Sequence, residues 1–276
     1  MVQAYFVSFN PQVPMEENLP TFESVETPEV QRLLQGAAGV LLPAYVSPWR
    51  YVEIIKWAQD WFPRLGGRFA YHGKIKQVRL FRELGVRHPE SLLFASPASL
   101  MEHFGFHGSP WDYPVVLKGD TGGGGSAVFP INSPDEMVGY VGKLPPGKPA
   151  LLQRWVYHGG RDLRVVIYGD LTVSYFRVGD GRFYNNVCRG GRIDYDGRPE
   201  EQAKGIDAVI AFCRRVPIDI AGFDLMFPDH GDPVFVEINF NFGRKGLGGK
   251  EGHLKLLKRA IHQWRDRRSK EVAGQL

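Results

Sequence analysis

Two apolar stretches in the last quarter of the chain carry acids. Ala221-Gly222-Phe223-Asp224-Leu225-Met226 holds one carboxylate, and Val234-Phe235-Val236-Glu237-Ile238-Asn239 holds a second with an amide two residues on. Residues two apart on a strand share a face, so Glu237 and Asn239 are expected on one side and Val236 and Ile238 on the other. A buried carboxylate without a partner is costly. Asp224, Glu237 and Asn239 on neighbouring strands would satisfy one another around a hard cation, and an all-oxygen set suits Mg2+, which also bridges nucleotide phosphates. The plainer alternative is a salt bridge, for instance with Arg177 or Lys118. In a chain that also offers a phosphate nest, the trio favours metal.

That nest is Lys118-Gly119-Asp120-Thr121-Gly122-Gly123-Gly124-Gly125-Ser126. Successive backbone N–H groups in such a run can wrap phosphate oxygens, and Lys118 adds a positive charge. A P-loop ends in Gly-Lys-Ser/Thr before a helix, and a dinucleotide fingerprint also opens a helix. Here Pro114-Val115-Val116-Leu117 precedes and Ala127-Val128-Phe129 follows, so the run is expected as a mobile flap joining two strands. Further arginines lie in Gly160-Arg161-Asp162-Leu163-Arg164-Val165-Val166 and at Arg177, and the stretch from Phe183 reads Tyr184-Asn185-Asn186-Val187-Cys188-Arg189-Gly190-Gly191. Arginines on a sheet face can clamp carboxylates or transferring phosphoryl groups bidentately. A solvated face is the bland reading, and it suits Arg161 and Arg182. No side-chain nucleophile stands out, since Cys188 and Cys213 have no evident activating histidine. The eight histidines show no metal spacing on one element, and His158 reads as a loop residue within reach of a ribose.

These residues need strands and helices to hold them. The 276 residues are 43% hydrophobic and 23% charged, ordinary for a globular protein with a core. Strands are expected at 4–8 and 39–45. Thr27-Pro28 and Ser47-Pro48 start helices, the second running to about Phe62. A helix from Lys74 to Leu84 ends at Gly85. Strands at 91–95 and 114–118 flank a helix capped by Ser96, and Ser133-Pro134-Asp135-Glu136 reads as a capping box. Strands at 151–156, 163–168 and 171–178, a helix at 201–215, and strands at 219–226 and 233–239 follow. The last helix, about 250–268, is expected to bury Leu254, Leu257, Ile261 and Trp264 and to show its basic residues to solvent. Consecutive strands in the second half make the class α+β with largely antiparallel sheets.

Net charge is 34 − 30 = +4, and Lys250 to Glu271 alone carries 8 − 3 = +5. This distribution does not indicate a nucleic-acid surface. No apolar run approaches the ~20 residues of a membrane helix, and the first residues have no basic region before an apolar stretch, so no secretion signal or membrane partner is expected. Two cysteines without partner spacing fit a reducing cytoplasm.

In this order the motifs resemble the ATP-grasp superfamily, and most of all RimK-type carboxylate–amine ligases. The resemblance covers about 73–249. It runs from Gly73-Lys74 through Lys118 and the glycine flap, Leu152-Gln153-Arg154-Trp155-Val156, Arg161-Asp162-Leu163-Arg164 and Asn186 to Gly191. It ends at Gly222-Phe223-Asp224 and Glu237-Ile238-Asn239-Phe240-Asn241. It implies an ATP-grasp fold, two α+β subdomains clamping ATP (about 91–150 and 151–268 within 73–276), after a short α/β unit at 1–72. It implies that Lys74 and Lys118 hold ATP phosphates, that Gly122, Gly123, Gly124, Gly125 and Ser126 cover them, and that adenine lies on Gln153, Arg154, Trp155 and Val156. Asp224, Glu237 and Asn239 would bind Mg2+, as two ions or with Mn2+ in its place. Arg164, Arg177, Asn186 and Arg189 would bind the acyl phosphate and γ-phosphate. Glycine follows Lys118 where the family has proline, and Arg154 stands where an acid is usual. Phe240-Asn241-Phe242-Gly243 replaces a small-Ser-Pro-Gly loop that lies near the acceptor. The implied activity is an ATP- and Mg-dependent ligase joining a small-molecule or peptide carboxylate to an amine acceptor, in a homodimer or homotetramer. An ATP-binding module without ligase activity is the alternative.

Overall fold

In the computed structural model, residues 4–43, 45–122, 125–179, 183, 185, 190–228 and 231–274 are described. The chain opens on a small parallel sheet of order β2-β1-β3-β4, made of β1 (Phe6–Ser8), β2 (Glu17–Asn18), β3 (Gly39–Leu41) and β4 (Trp61–Phe62). Helices α1 (Pro28–Gly36) and α2 (Pro48–Ile55) start where a hydroxyl and a proline dictate. Thr27 accepts from the Val30 N–H, Ser47 accepts from the Arg50 N–H, and proline fills the first turn of each. The second helix does not reach Phe62. It ends at Ile55, and Trp61–Phe62 pairs instead with Val40–Leu41. Parallel pairing seats Phe62 against Trp264 of the last helix, a tertiary contact that no local pattern announces.

The second sheet, of order β5-β8-β6-β7, is antiparallel throughout: β5 (Ser91–Phe94), β6 (Val115–Gly119), β7 (Val128–Ile131) and β8 (Ala150–Arg154). Its core packs against α5 (Pro97–His107) and α6 (Pro134–Val141). The strand expected at 151–156 with the later antiparallel run thus belongs to this earlier sheet, between β5 and β6, because Leu151 and Leu152 complete cores already present there. The capping box is also displaced. Ser133 accepts from the Glu136 N–H, but the Glu136 carboxylate takes the Asn132 N–H, and the reciprocal pair occurs at Ser96 and Ser99. Before this sheet come α3 (Gly66–Ala70) and α4 (Lys74–Glu83).

The third sheet, of order β11-β10-β9-β12-β13, contains β9 (Arg161–Tyr168), β10 (Leu171–Val178), β11 (Arg192–Asp194), β12 (Ile220–Met226) and β13 (Val234–Asn239). One face is apolar. Leu163, Val165, Phe176, Phe223, Phe235 and Ile238 are buried with Phe81 of α4 and Phe212 of α7 (Pro199–Arg215). The other face carries Asp162, Arg164, Arg177, Asp224 and Glu237. Alternation along β9, β10 and β12 separates core from chemistry, and on β13 a bulge does so.

The last helix, α8 (Gly249–Gly274), runs further than the pattern suggested. Its buried residues are Ala260, Ile261 and Trp264, while Leu254 and Leu257 are half-buried. Trp264 joins the first unit to the third sheet. It stacks on Phe62, meets Phe6 edge-on and donates to Asp60 Oδ2 at 2.8 Å. Gly39 is needed there, since a Cβ would lie 2.6 Å from the indole. The basic face is not simply solvated. Arg265 pairs with Glu16, Arg267 with Asp170, and Arg268 with Asp60 at 3.2 Å. Among the described residues no helix is long and apolar enough to cross a membrane.

Candidate active site

Register builds the site. Asp224 on β12 lies opposite Arg164 on β9 and opposite Glu237 on β13, and Arg177 on β10 lies opposite Asp162 on β9. Arg164 reaches Asp224 with two nitrogens, Nε at 2.5 Å and Nη2 at 3.1 Å. Arg177 joins Asp162 at 2.6 Å and Asp224 at 3.1 Å. All four groups are buried, so each is affordable only because the others are present. Burial resists ionisation of Asp224, but the guanidiniums of Arg164 and Arg177 outweigh it and hold the carboxyl below its usual range. Burial also works against the Arg177 charge, and Asp162 and Asp224 more than offset it.

A bulge shifts the next strand. Asp224 pairs with Glu237 but Leu225 pairs with Phe235, which leaves Val236 as the extra residue. Val236 therefore lines the same cavity as Glu237 and is not on the side of Ile238, correcting simple alternation. Gln77 on α4 holds β13 in place. Its side chain donates to the Ile238 carbonyl at 2.8 Å and accepts from the Ile238 N–H at 2.9 Å. No motif pointed to Gln77, because its partner lies 161 residues away.

The cavity lies between this polar face and the second sheet. Lys74, Lys118, Gly122, Gly125, Gln153, Arg154, Trp155, Val156, Arg177, Asp224 and Glu237 all border it, with Val236, His158, Asp162 and Asn185. Lys74 sits at the first turn of α4, after Gly73 at φ 95°. Asp120 accepts the Ile75 N–H and thereby ties that turn to the base of the flap. The Lys74 ammonium meets Glu237 Oε1 at 3.1 Å and donates to the Gly122 carbonyl at 3.3 Å. Lys118, 8% exposed, has no ion pair among the described residues. Burial pulls its ammonium from 10.5 down to about 8, with Glu237 and Asp224 opposing and Lys74 assisting. Gln153 donates to Ser91 Oγ at 2.9 Å, and the Arg154 N–H is taken by the Glu90 carbonyl, so Arg154 has no spare amide for a ligand edge. Trp155 packs beside Phe183 at 5.2 Å. Asn185, passed over in favour of its neighbour, is buried with Oδ1 unpartnered and with Nδ2 3.2 Å from His158 Nδ1.

Other candidates lie elsewhere. Ser126 is exposed and does not border the cavity. Arg164 sits behind Asp224. Asn239 donates to Asp224 Oδ2 at 3.1 Å and borders an adjoining cavity. Gly123, Gly124, Asn186 and Arg189 lie outside the described residues. The donor set of the trio suits a hard cation, and Glu237 faces both cavities. Asp224 is different, because its four lone-pair positions already receive Arg164 twice, Arg177 and Asn239. Among the described residues no three His, Cys, Asp or Glu side chains converge as a metal cluster; the third member here is an amide.

Two α+β halves closing on a cavity with lysines, a glycine flap and a carboxylate face define an ATP-grasp fold. Solved structures agree. An ATP-grasp ligase, PsnB, complexed with a precursor peptide and AMPPNP, superposes with TM-score 0.59 at 15% identity, over 96% of this chain and 98% of that one. A RimK domain ATP-grasp protein from Sphaerobacter thermophilus superposes with TM-score 0.56 at 16% identity, over 89% and 94%. In sequence, beta-citrylglutamate synthase B of Danio rerio is 32% identical over 137 residues, 49% of this chain and 33% of that protein. Coenzyme gamma-F420-2:alpha-L-glutamate ligase of Methanococcus maripaludis is 28% identical over 180 residues, 63% and 60%. The matches thus span about a third of the first curated relatives. No protein-family model matches the chain. The superpositions show that the chain has the ATP-grasp fold, and over about half its length its sequence is similar to those of a beta-citrylglutamate synthase and, over somewhat more, of a glutamate ligase.

Proposed function

We propose that the protein is an ATP- and Mg2+-dependent carboxylate–amine ligase working through an acyl phosphate. The observation that carries this is the convergence of Lys74, Lys118, Asp224 and Glu237 on one cavity beneath a glycine flap. The names of the curated relatives, a beta-citrylglutamate synthase, an N-acetylaspartylglutamate synthase and a coenzyme gamma-F420-2:alpha-L-glutamate ligase, support the reaction class. A substrate carboxylate oxygen attacks the γ-phosphorus and ADP leaves with the bridging oxygen. An amine then attacks the acyl carbon, a C–N bond forms, phosphate departs, and the nitrogen sheds its proton to phosphate or water. Positioning and charge neutralisation do most of the work in such transfers.

In this reading Lys74 and Lys118 hold the phosphates, residues 122–126 cover them, and 153–156 take the adenine. Arg177 and, outside the described residues, Asn186 and Arg189 would bind the transferring group, while Arg164 orients Asp224. Glu237 and the Asn239 amide oxygen would hold Mg2+, which would neutralise phosphate charge, while Asp224, its lone pairs already taken by Arg164, Arg177 and Asn239, would act from behind them. The units are 1–72 and 73–276, with the smaller subdomain extended through β8. A cytoplasmic homodimer or homotetramer accords with the cysteine usage and the family habit.

Thermal unfolding with ATP, with Mg2+ and with both tests the site. A ligand of the folded state adds about 2.7 kcal/mol at 100 times its dissociation constant. We expect a raised midpoint with ATP, deepened by Mg2+, and then ADP release with a carboxylate and an amine together. No shift with any nucleotide overturns the proposal. A shift without ADP release from any acid and amine pair favours a silent binding module.

A further inference from the structure

Helix α5 carries two side chains that the nucleotide site does not use. Proline in its first turn and the Ser96–Ser99 capping box fix where it starts. Leu100 and Phe104 turn into the core of the second sheet, which sets the rotation of the helix about its axis. His103 and His107 then stand four residues apart on one side of it, the spacing at which helix side chains are neighbours. The expectation that no histidines show metal spacing on one element does not hold for this pair.

Their geometry is that of a chelate. The two imidazole rings lie 4.8 Å apart, centre to centre, with planes 42° apart. With metal–nitrogen bonds of about 2.0–2.1 Å and ring nitrogens about 1.1 Å from the ring centre, two adjacent ligands on one ion place their rings about 4.5–5.3 Å apart. Phe94, the last residue of β5, lies 5.4 Å from the His103 ring and backs it; His103 is half-buried and His107 exposed. Neither imidazole has a hydrogen bond or an ion pair among the described residues, so nitrogens on both rings are open to a ligand. His88, His158 and His253 differ, since their Nδ1 atoms already meet the Val86 carbonyl, Asn185 and the Tyr168 hydroxyl. Among the described residues no third His, Cys, Asp or Glu joins the pair, so the remaining positions of an ion would fall to water. Neither histidine borders the cavity beneath the flap or the one adjoining it.

Imidazole suits Zn2+, Cu2+ and Ni2+, whereas Mg2+ takes oxygen. We propose that His103 and His107 form a transition-metal site, separate from the oxygen donors at Glu237 and Asn239. The two imidazoles fill adjacent positions of one divalent ion and water fills the others. Cu2+ binds tightest, Ni2+ and Zn2+ less tightly, and Mg2+ not at all, the order general for nitrogen ligands. The bound ion ties together the last turn of α5, just before the Gly108 cap whose N–H meets the Phe104 carbonyl. This inference rests on α5 alone and not on the ligase reading.

Calorimetry of the full chain without nucleotide, titrated with Cu2+, Ni2+, Zn2+ and Mg2+ in turn, tests the site. His103→Ala and His107→Ala are each expected to weaken the tightest Cu2+ event at least about tenfold, because each removes half of the protein's ligands. His262→Ala, on the exposed side of α8, should leave it unchanged. Electron paramagnetic resonance of the Cu2+ form should show two imidazole nitrogens in the unaltered protein and one in either α5 variant. Saturating Zn2+ should raise the thermal midpoint of the unaltered protein but not of those two variants. Equal midpoints without metal would show that lost binding is not lost folding. No bound Cu2+, binding that survives both α5 variants, an equal loss in His262→Ala, or displacement of the bound ion by excess Mg2+ overturns the proposal.

Discussion

The cavity beneath the glycine flap and the apolar pocket beside α8 are both cationic, yet they are built on opposite plans. In the cavity, charges come from adjacent strands of one sheet and neutralise each other: Arg164 and Arg177 on Asp224, Arg177 on Asp162, Lys74 on Glu237. Among the described residues Lys118 has no ion pair. In the pocket, segments from distant parts of the chain meet over apolar side chains, and among the described residues neither Arg68 nor Arg244 has an ion pair. The difference teaches which charges are structural. A buried group whose partner is fixed by register cannot be removed without unfolding cost, whereas an unpartnered one at a cavity wall is available to a ligand.

Breaking the plan where it is most interlocked has the largest effect. Asp224→Ala leaves two buried guanidiniums short of a partner, and urea unfolding is expected to show a loss of about 3–5 kcal/mol. Glu237→Gln removes charge from a partly open position and keeps shape. Turnover should fall about 10²–10³-fold while the unfolding midpoint stays nearly constant, and unchanged turnover sinks the assigned role of Glu237. Gln77→Leu takes both side-chain hydrogen bonds from the edge strand and leaves the Ile238 groups unsatisfied. We expect about 1–3 kcal/mol of destabilisation and faster amide exchange along β13. If exchange there is unaltered, Gln77 does not position the strand.

The unpaired lysine sharpens the contrast by pH. The free protein holds Lys118 charged below about 8 and loses that charge as pH rises. Polyphosphate favours the ammonium, so ATP binding should take up a proton above pH 8 and weaken up to about tenfold per pH unit until the bound-state value is passed. Calorimetry in buffers of different ionisation heat reads the uptake, and Lys118→Met should abolish it. The depressed value also means that Lys118 costs the fold stability below pH 8, a cost relieved toward 10.5. The smallest effect belongs to α8. Arg267→Ala breaks an exposed pair with Asp170, and about 0.2–1 kcal/mol is expected from unfolding curves.

Much of this was legible before any coordinates. The hydroxyl–proline starts at Thr27 and Ser47, the flap between strands, and the apolar settings of Asp224 and Glu237 follow from local rules, and the elements form there. Local rules failed where a distant partner decided. Trp61–Phe62 left a helix to pair with β3, Leu151 and Leu152 joined the second sheet, and Val236 turned toward the cavity at a bulge. Gln77 and Asn185 carried no motif, and Ser126 carried one but stands outside the cavity.

The sequence by itself determined the kinds of elements, the two-faced strands and the residue types that must share a face, because capping, proline, glycine and period-two alternation act within a few residues. Only the tertiary structure decided which charges pair and which remain free, and how Arg68, Arg244 and α8 enclose an apolar pocket. Those outcomes depend on strand register and on packing between segments more than two hundred residues apart, where Trp264 meets Asp60 and Phe62. The energies involved exist only once the chain has brought those groups together.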